Sequence, residues 1–177
     1  PSGYKMERDP WNMVSSSEDE WEKPEHIEYF RPEISEIVDG LRKARPKIIG
    51  ISLHNNNIPI ARDIVNAVRQ AIPELFVIVG GFSCVHVSVG RRVFPECDYM
   101  IMGEAELTLG PLVKALVAGE KPCNLPGILS CYDSPDRVWM PAPQLQDIDS
   151  IDFPHYDWAD LDLYRNYDGY RLTPIIA

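Results

Sequence analysis

Three short apolar runs, each followed by small or polar residues and then by a helical pattern, constrain the fold of this chain most strongly. The runs extend from Lys47 to Leu53, from Leu75 to Val79 and from Asp98 to Met102. Strands that are apolar throughout are typical of a parallel sheet that is buried on both faces. Because ligands bind in the crevice outside the carboxyl ends of such strands, the residues after each run are the first candidates for a site.

Helical patterns connect these strands into an α/β alternation. Apolar residues recur at helical spacing from Arg31 to Arg45, and Pro46 ends the pattern because the residue before a proline disfavours helical backbone. The last asparagines of the loop from His54 to Asn57 are predicted to cap the next helix. Glu104 and Glu106 are predicted to lie in the first turn of the helix that follows the third run. The sequence therefore predicts an open, mostly parallel, Rossmann/flavodoxin-like sheet with helices on both faces.

After Gly119 the pattern changes from strand–helix alternation to turns and short strands. Residues 127–133 and 137–140 flank Ser134-Pro135-Asp136 and are predicted to form an antiparallel hairpin. The predicted organisation has three parts, which are an N-terminal arm at 1–30, an α/β domain at 31–143 and a linker at 144–177 that is rich in Asp, Pro and aromatic residues.

The composition narrows the class of protein and its partners. Hydrophobic residues make up 45% and charged residues 25% of the chain, as is ordinary for a globular protein, and the net charge of -10 argues against binding nucleic acid. No apolar run is long enough to span a bilayer and no signal-peptide pattern is present, so a cytoplasmic location is expected. The four cysteines form no Cys-x-x-Cys pair and are expected to be buried thiols.

Catalytic motifs are absent from the sequence. It contains no Gly-x-Ser-x-Gly, no His-Glu-x-x-His, no Gly-x-x-x-x-Gly-Lys-Ser/Thr phosphate loop and no Gly-x-Gly-x-x-Gly after a strand. Only His54 and His86 fall near the predicted crevice, and a lone loop histidine is usually a solvated or hydrogen-bonding residue. We therefore predict no catalytic residue and no metal ligand in this chain, which favours a binding module over an enzyme that works alone.

Small and polar residues at the strand ends are the candidates for a ligand-binding floor. A large planar ligand can approach the backbone over such a floor, and the floor residues are Ser52, Leu53, Gly80 and Gly81. Nearby groups that could hydrogen-bond a polar part of the ligand are Asn55, Asn56, Asn57, Ser83 and Glu104, and helix N-termini at this edge favour a phosphate. The alternative is that Gly80-Gly81 is only a tight turn.

The chain carries, in order, the segments IIGISLHNNN, VIVGGFS, MGEAE, a Pro-Gly-Ile turn, FPHYDWADLDLY and LTPIIA. This series resembles the cobalamin-binding domain that precedes the barrel of radical S-adenosylmethionine enzymes, and the resemblance covers roughly residues 34–177. It implies that the four floor residues line a cobalamin pocket and that Gly103, Glu104 and Glu106 form a Gly-Glu-x-Glu segment. The predicted cofactor-binding residues are Ser52, Leu53, His54, Asn55, Asn56, Gly80, Gly81, Phe82, Ser83, Gly103, Glu104 and Glu106.

The resemblance also implies a cofactor and a partner. Cobalamin would serve a methyltransferase or a cyclase that acts on a small molecule or a peptide. S-adenosylmethionine and a [4Fe-4S] cluster would belong to a barrel domain whose Cys-x-x-x-Cys-x-x-Cys motif is not in these residues. The sequence also lacks Asp-x-His-x-x-Gly, whose histidine ligates cobalt in the mutase and methionine synthase type of domain. His54 is therefore expected to contact the corrin edge or its lower face without ligation.

Two alternatives remain open. The chain could be a cofactor-free α/β domain that docks a partner domain through the aromatic residues of its linker, among them Phe153, Tyr156 and Trp158. A flavin or a nucleotide could also occupy the same crevice, with Phe82 as the stacking residue.

Overall fold

The computed structural model describes residues 24–54, 57–84, 96–134 and 136–152 of the chain. These residues form three α-helices, four strands and one 3-10 helix. In chain order the elements are α1 (Pro24–Ala44), β1 (Ile48–Ser52), α2 (Ile58–Ala71), β2 (Phe76–Gly80), β3 (Tyr99–Ile101), α3 (Leu109–Val117), β4 (Ile128–Ser130) and the 3-10 helix (Ile148–Ser150). The chain divides into two compact units, Pro1–Leu145 and Gln146–Ala177.

The four strands form one sheet in the order β1-β2-β3-β4. β1 pairs with β2 and β2 pairs with β3 in parallel, whereas β4 runs antiparallel to β3. In this register Ser52 lies opposite Gly80, so the carboxyl ends of the parallel strands meet at one edge of the sheet. The predicted open, mostly parallel sheet is confirmed.

Helices cover both faces of this sheet, as predicted. Side chains alternate between the two faces along each strand, so each face contributes to its own core. One core joins α1 and α2 to the sheet through Val38, Val65, Val68, Val77, Val79 and Met100. The other core joins α3 to the opposite face through Ile78, Tyr99, Ile101, Leu112, Leu116 and Ile128. The buried residues of this second core come from α3 and from β2, β3 and β4, while Gly50 and Ser52 of β1 are exposed. α3 therefore leaves the end of β1 uncovered on its face.

α1 starts earlier than the sequence pattern predicts. It begins at Pro24 rather than at Arg31, so Pro32 lies inside the helix. A proline inside a helix removes one backbone hydrogen bond, but tertiary packing contributes most of the stability of a protein helix. Ile34 and Val38 supply such packing after the proline, since both side chains are buried.

α3 starts later than predicted, so Glu104 and Glu106 lie before the helix and not in its first turn. The backbone N–H groups of Thr108 and Leu109 both donate to the carbonyl of Ala105, at 3.1 and 2.8 Å, and form a turn that precedes the helix. The two glutamates are thus not placed to stabilise the helix dipole from within that first turn.

Asn57 occupies the N-cap position of α2, as predicted, but its side chain does not cap the helix. The side-chain amide donates to the Ser52 carbonyl at 3.0 Å and accepts the His54 N–H at 2.8 Å. Asparagine side chains commonly satisfy nearby backbone groups in turns in this way. The two bonds tie the loop that follows β1 to the end of the strand.

The antiparallel element predicted after Gly119 is present, but it pairs differently from the expected hairpin. Strand β4 pairs with β3, with Leu129 opposite Met100, and residues 136–140 form no strand. This pairing buries all three residues of β4. Burial of apolar side chains against the existing sheet therefore decides the partner of β4.

A buried ion pair closes the turn after β4. Asp133 pairs with Arg137, and the Asp133 carboxylate also accepts the N–H groups of Asn124 and Ser130, both at 2.8 Å. Burial by itself raises the pKa of Asp133, but these hydrogen bonds and the Arg137 charge hold that pKa below its usual range. Asp133 thus joins the segment before β4 to the turn after it.

A second buried carboxylate organises the amino edge of the sheet. Asp98 pairs with Arg69 of α2 at 2.7 Å and accepts the Val77 N–H of β2 at 2.8 Å. It also accepts the hydroxyl of Tyr132, which lies after β4, at 3.1 Å. Burial and the Asp98 charge raise the pKa of Tyr132, so this hydroxyl keeps the proton that it donates. One side chain therefore links α2, β2 and the segment after β4.

The four cysteines fall into two classes. Cys84 and Cys97 are buried in the core beneath α1 and α2, and burial raises the pKa of Cys84 to about 11. Cys123 and Cys131 are exposed, and none of the four forms a disulfide. The expectation of buried thiols therefore holds for the first pair only.

Part of the predicted organisation lies outside the described residues. This applies to positions 1–23 of the N-terminal arm, to residues 85–95 and to the aromatic portion of the linker at 153–177, so the three predicted parts stay predictions.

In the smaller unit, the Asp147 carboxylate accepts the Asp149 N–H at 3.1 Å at the start of the 3-10 helix. Among the described residues, no helix has both the length and the apolar character needed to cross a membrane.

Candidate functional site

A cleft of about 280 Å³ opens at the carboxyl edge of the sheet, on the face where α3 leaves β1 uncovered. Its lining residues are Gly50, Ile51, Ser52, Ile78, Val79, Gly80, Gly81, Ile101, Gly103, Ala105 and Leu109. Small residues form much of this surface, and Ser52 contributes the one polar side chain among them. Because none of these residues is charged, the cleft suits an uncharged portion of a ligand better than a phosphate.

Gly81 is a glycine that the fold itself requires. Its φ of +104° lies in a region that other residues rarely adopt, and a Cβ atom there would stand 2.8 Å from both the Leu53 nitrogen and the Ser52 Oγ. The Leu53 N–H donates to the Gly80 carbonyl at 2.7 Å, and the Ser83 N–H donates to the Leu53 carbonyl at 3.1 Å. Gly81 therefore allows the ends of β1 and β2 to lie close to each other at the edge of the cleft.

Gly80 differs from its neighbour in what surrounds it. The nearest atom to a Cβ at Gly80 would be the Cβ of Ile101 at 3.6 Å, which is an ordinary van der Waals distance. At Gly50, a Cβ would meet no atom within 4 Å. These two glycines leave space in the cleft that the packing of the fold does not use.

Leu53 and His54 were predicted to contact the ligand, and neither lines the cleft. The Leu53 side chain is 2% exposed and packs in the core on the α1 and α2 face. His54 is exposed in the loop that Asn57 ties to the strand end. Contact of either residue with a ligand stays a prediction, and Asn55 and Asn56 lie outside the described residues.

Phe82 and Ser83 follow the cleft residue Gly81. Phe82 is 77% exposed, so its ring is presented to solvent directly after the cleft edge. The Ser83 backbone N–H is used by the Leu53 carbonyl, and the residue is half-buried. Of this pair, Phe82 offers the larger surface to a bound molecule.

Gly103, Glu104 and Glu106 follow β3. Gly103 lines the cleft with a φ of +85°. Glu104 is exposed, and its carboxylate accepts the Leu145 N–H at 3.0 Å, so it holds the segment after β4 near this edge. Glu106 is also exposed and does not line the cleft. The structure thus brings together Ser52, Gly80, Gly81 and Gly103 of the predicted set.

Sequence reasoning missed the part of the cleft that extends onto the face of the sheet. The lining residues that it missed are Gly50, Ile51, Ile78, Val79, Ile101, Ala105 and Leu109. It considered residues that directly follow the strands, whereas these lie within the strands, in the turn before α3 or at the start of α3. A glycine inside a strand is the signal that points to this surface, and the segment IIGIS contains one.

A larger cleft of about 640 Å³ lies at the opposite, amino edge of the sheet. Arg42, Arg45 and Lys47 line it, together with residues at the C-termini of all three described α-helices. Cations near helix C-termini offset the negative end of the helix dipole, and the Lys47 Nζ donates to the Val117 carbonyl at 3.2 Å. Because the fold accounts for these charges, we assign no ligand to this cleft.

A metal ion has no obvious cluster of protein ligands in the part of the chain that the structure describes. No group of three or more His, Cys, Asp or Glu side chains in those residues is arranged to hold one.

Comparison with known families identifies the family of the chain. Residues 20–113, more than half of the chain, match the model of the B12-binding domain. The chain belongs to the B12-binding domain family. The matched range includes β1, β2 and β3, whose ends form the cleft. The resemblance inferred from the order of the strand-end segments is thereby confirmed.

Two curated relatives of this B12-binding domain extend the comparison. An uncharacterized methyltransferase of Pyrococcus horikoshii is 29% identical over 135 residues, which cover 74% of this chain. An anaerobic magnesium-protoporphyrin IX monomethyl ester cyclase of Synechocystis is 29% identical over 144 residues, which cover 80% of this chain. In both cases the chain spans 29% of the length of the relative.

Proposed function

We propose that this chain holds cobalamin at the carboxyl edge of its sheet, as the cobalamin-binding part of a radical S-adenosylmethionine enzyme. The observation that carries the proposal is the uncharged, glycine-floored cleft in a member of the B12-binding domain family. Ligands of open α/β sheets bind outside the carboxyl ends of the strands, which is where this cleft lies.

The residues of the cleft fit part of a large cofactor. Space for a ligand exists above Gly50 and Gly80, where the packing of the fold leaves room for a Cβ atom. The volume of about 280 Å³ is near the lower end of the range of about 300–1,000 Å³ that is usual for pockets that hold drug-sized ligands. The cleft can therefore enclose only a portion of cobalamin.

The side chains and backbone of this chain would bind and orient that portion. Ser52 is exposed on the floor, and its hydroxyl can donate or accept a hydrogen bond. Ile78 and Ile101 are buried beneath the floor and exclude water from its underside. Phe82 adds an exposed aromatic surface after Gly81, and such rings supply large contact area at low entropic cost.

The reaction class follows from the relatives and from the cofactor. When bound, cobalamin supplies the cobalt centre for methyl transfer or radical chemistry. The names of the two relatives, a methyltransferase and a cyclase, support these two reaction types. Because this chain spans 29% of each relative, we assign S-adenosylmethionine, a [4Fe-4S] cluster and the substrate contacts to a barrel domain outside these residues. The substrate would be a small molecule or a peptide.

Retention of cobalamin tests the binding proposal. The purified protein is incubated with hydroxocobalamin and desalted, and its ultraviolet–visible spectrum is recorded. Wild-type protein is expected to keep the corrin bands, and Ser52→Val is expected to weaken them because it adds apolar bulk to the floor and removes the hydroxyl. Arg42→Ala, which alters the larger cleft at the amino edge, serves as the matched control and is expected to retain cobalamin like wild type.

The outcomes of this experiment are distinct. Colourless wild-type protein would overturn the proposal and favour a cofactor-free domain that docks a partner. Equal retention by Ser52→Val and wild type would show that cobalamin binds somewhere other than the assigned cleft. Far-ultraviolet circular dichroism of each variant establishes that a loss of colour is not a loss of folding.

The enzyme class needs a separate test on protein purified anaerobically from its native cells, where the barrel is expected in the same chain or in a stable partner. Iron–sulfur absorbance and reductive cleavage of S-adenosylmethionine to 5′-deoxyadenosine are the expected results. A cobalamin-loaded preparation without either property would overturn the assignment to a radical enzyme and leave the cofactor assignment intact.

A further inference from the structure

Gly50 lies in the middle of β1, on the face of the sheet that carries the cleft. It is opposite Ile78 in the parallel register, and Ser52 follows two residues later on the same face. Gly50 is exposed and lines the cleft. Gly50 is therefore part of the floor of the proposed site.

The fold does not require a glycine at position 50. The backbone of Gly50 lies outside the left-handed region, and a Cβ atom built there would meet no atom within 4 Å. Glycine weakens the interior of a strand, because its flexible backbone loses more entropy on folding and it has no side chain to pack. A strand glycine that serves neither a turn nor close packing points to the approach of a ligand.

We infer that Gly50 sets the depth of the cleft and admits an uncharged, flat part of the bound cofactor against the β1 backbone. The inference rests on the proposed cobalamin site and adds a size-determining residue to it. Any side chain at position 50 would project into the cleft between Ile48 and Ser52, where the ligand would lie. Since the lining residues carry no charge, a neutral ring system is the matching ligand chemistry.

Gly50 and Gly81 separate two roles that a glycine can have in such a site. A side chain at Gly81 collides with the Leu53 backbone whether or not a ligand is bound. A Cβ atom at Gly50 would meet no protein atom within 4 Å, so an added methyl group there collides only with a bound ligand. Substitution of Gly50 therefore tests binding without disturbing the fold.

The experiment compares Gly50→Ala and Gly50→Val with wild type and with the control Gly40→Ala. Gly40 is an exposed glycine of α1 where a Cβ also meets no atom within 4 Å, but it lies outside the cleft. Each purified protein is titrated with hydroxocobalamin to obtain a Kd. Its thermal midpoint is measured without cobalamin by circular dichroism.

Without cobalamin, the midpoints of all three variants are expected to equal or exceed that of wild type, by up to about 4 °C, because each loses a flexible glycine. The Kd is expected to rise by about 5- to 150-fold for Gly50→Val, the range that follows from the cost of overpacking a close contact. The rise should be smaller for Gly50→Ala and absent for Gly40→Ala.

Three results would overturn the inference. A Kd of Gly50→Val equal to that of wild type would show that Gly50 does not set the depth of the cleft. The proposed cobalamin site would be unaffected by that result. A lower thermal midpoint in both Gly50 variants would show that the fold itself needs this glycine. Wild-type protein that does not bind hydroxocobalamin would overturn the proposed function first, and the role of Gly50 with it.

Discussion

Leu53 and Gly81 approach each other so closely that a Cβ atom at position 81 would lie 2.8 Å from the Leu53 nitrogen and 2.9 Å from its carbonyl oxygen. The two residues follow the ends of adjacent strands, where the Leu53 backbone forms hydrogen bonds with the backbones of Gly80 and Ser83. The second glycine of the Gly80-Gly81 pair therefore belongs to the fold, while the first has Ile101 and the open cleft beside it. A substitution at Gly81 is therefore expected to affect the stability of the fold, whereas a substitution at Gly80 changes the cleft.

Replacing Gly81 with Ala is expected to destabilise the protein by about 2–6 kcal/mol. Holding a residue with a Cβ at an unfavourable φ costs about 1–3 kcal/mol, and overpacking against the Leu53 backbone adds about 1–3 kcal/mol. Urea unfolding followed by circular dichroism measures this loss as a lower midpoint with an unchanged slope. Gly80→Ala is the matched control, and its free energy of unfolding should stay within about 1 kcal/mol of wild type because its Cβ has ordinary clearance. Equal losses in the two variants would contradict this division.

Replacing Asp98 with Ala is expected to cost about 3–5 kcal/mol of unfolding free energy, because it leaves the Arg69 charge and the Val77 N–H without their partner. The Asp98 side chain is only 9% exposed and that of Arg69 is 23% exposed, so little water reaches the contacts that are lost. Asp39→Ala removes an ion pair with Arg42 in which both side chains are more than half exposed, and it should cost less than about 1 kcal/mol. Guanidinium unfolding of both variants makes the comparison, and similar costs would refute a special role for Asp98.

Replacing Asp133 with Asn is expected to destabilise the protein by about 3 kcal/mol near neutral pH, since it breaks the buried pair with Arg137. The folded-state pKa of Asp133 is lowered, so the stability from its charge is present above the unfolded pKa of about 4 and is lost as pH falls through the lower folded value. The stability difference between wild type and Asp133→Asn should therefore shrink as the pH falls below about 4.

Urea midpoints of wild type and Asp133→Asn, measured from pH 7 down to the acid limit of folding, test this linkage. A difference that stays constant across that range would mean that the charge of Asp133 does not stabilise the fold. Asp136→Asn, a change at an exposed position in the same turn, serves as the matched control.

Much of the sheet could be predicted from the sequence, because an apolar run with a small residue at its end reports burial on both faces of a strand. The predicted runs that start at Lys47 and Leu75 contain or overlap β1 and β2, and the order of the strand ends carried the family resemblance. The partner of β4 could not be predicted in the same way. Its three residues could join either a local hairpin or the edge of the sheet, and only tertiary burial distinguishes these options.

The candidate site was only partly predictable, because residue type does not show which way a side chain points. Ser52 and Leu53 are adjacent, so alternation along an extended chain sends them to opposite faces, with Ser52 to the cleft and Leu53 to the core. Likewise, two adjacent glycines look alike in a sequence, although Gly81 alone has a positive φ and a backbone neighbour at contact. These distinctions depend on contacts between strands that are far apart in the chain.

The carboxylate of Asp98 has a consequence for protein engineering. It anchors α2 and β2 at one edge of the sheet, while the candidate cleft occupies the other edge and shares no residue with that anchor. The positions of this anchor and the positions that line the cleft are thus separate. A library that randomises Gly50, Ser52 and Gly80 and leaves Asp98 and Arg69 untouched would sample new ligand specificities on an intact framework.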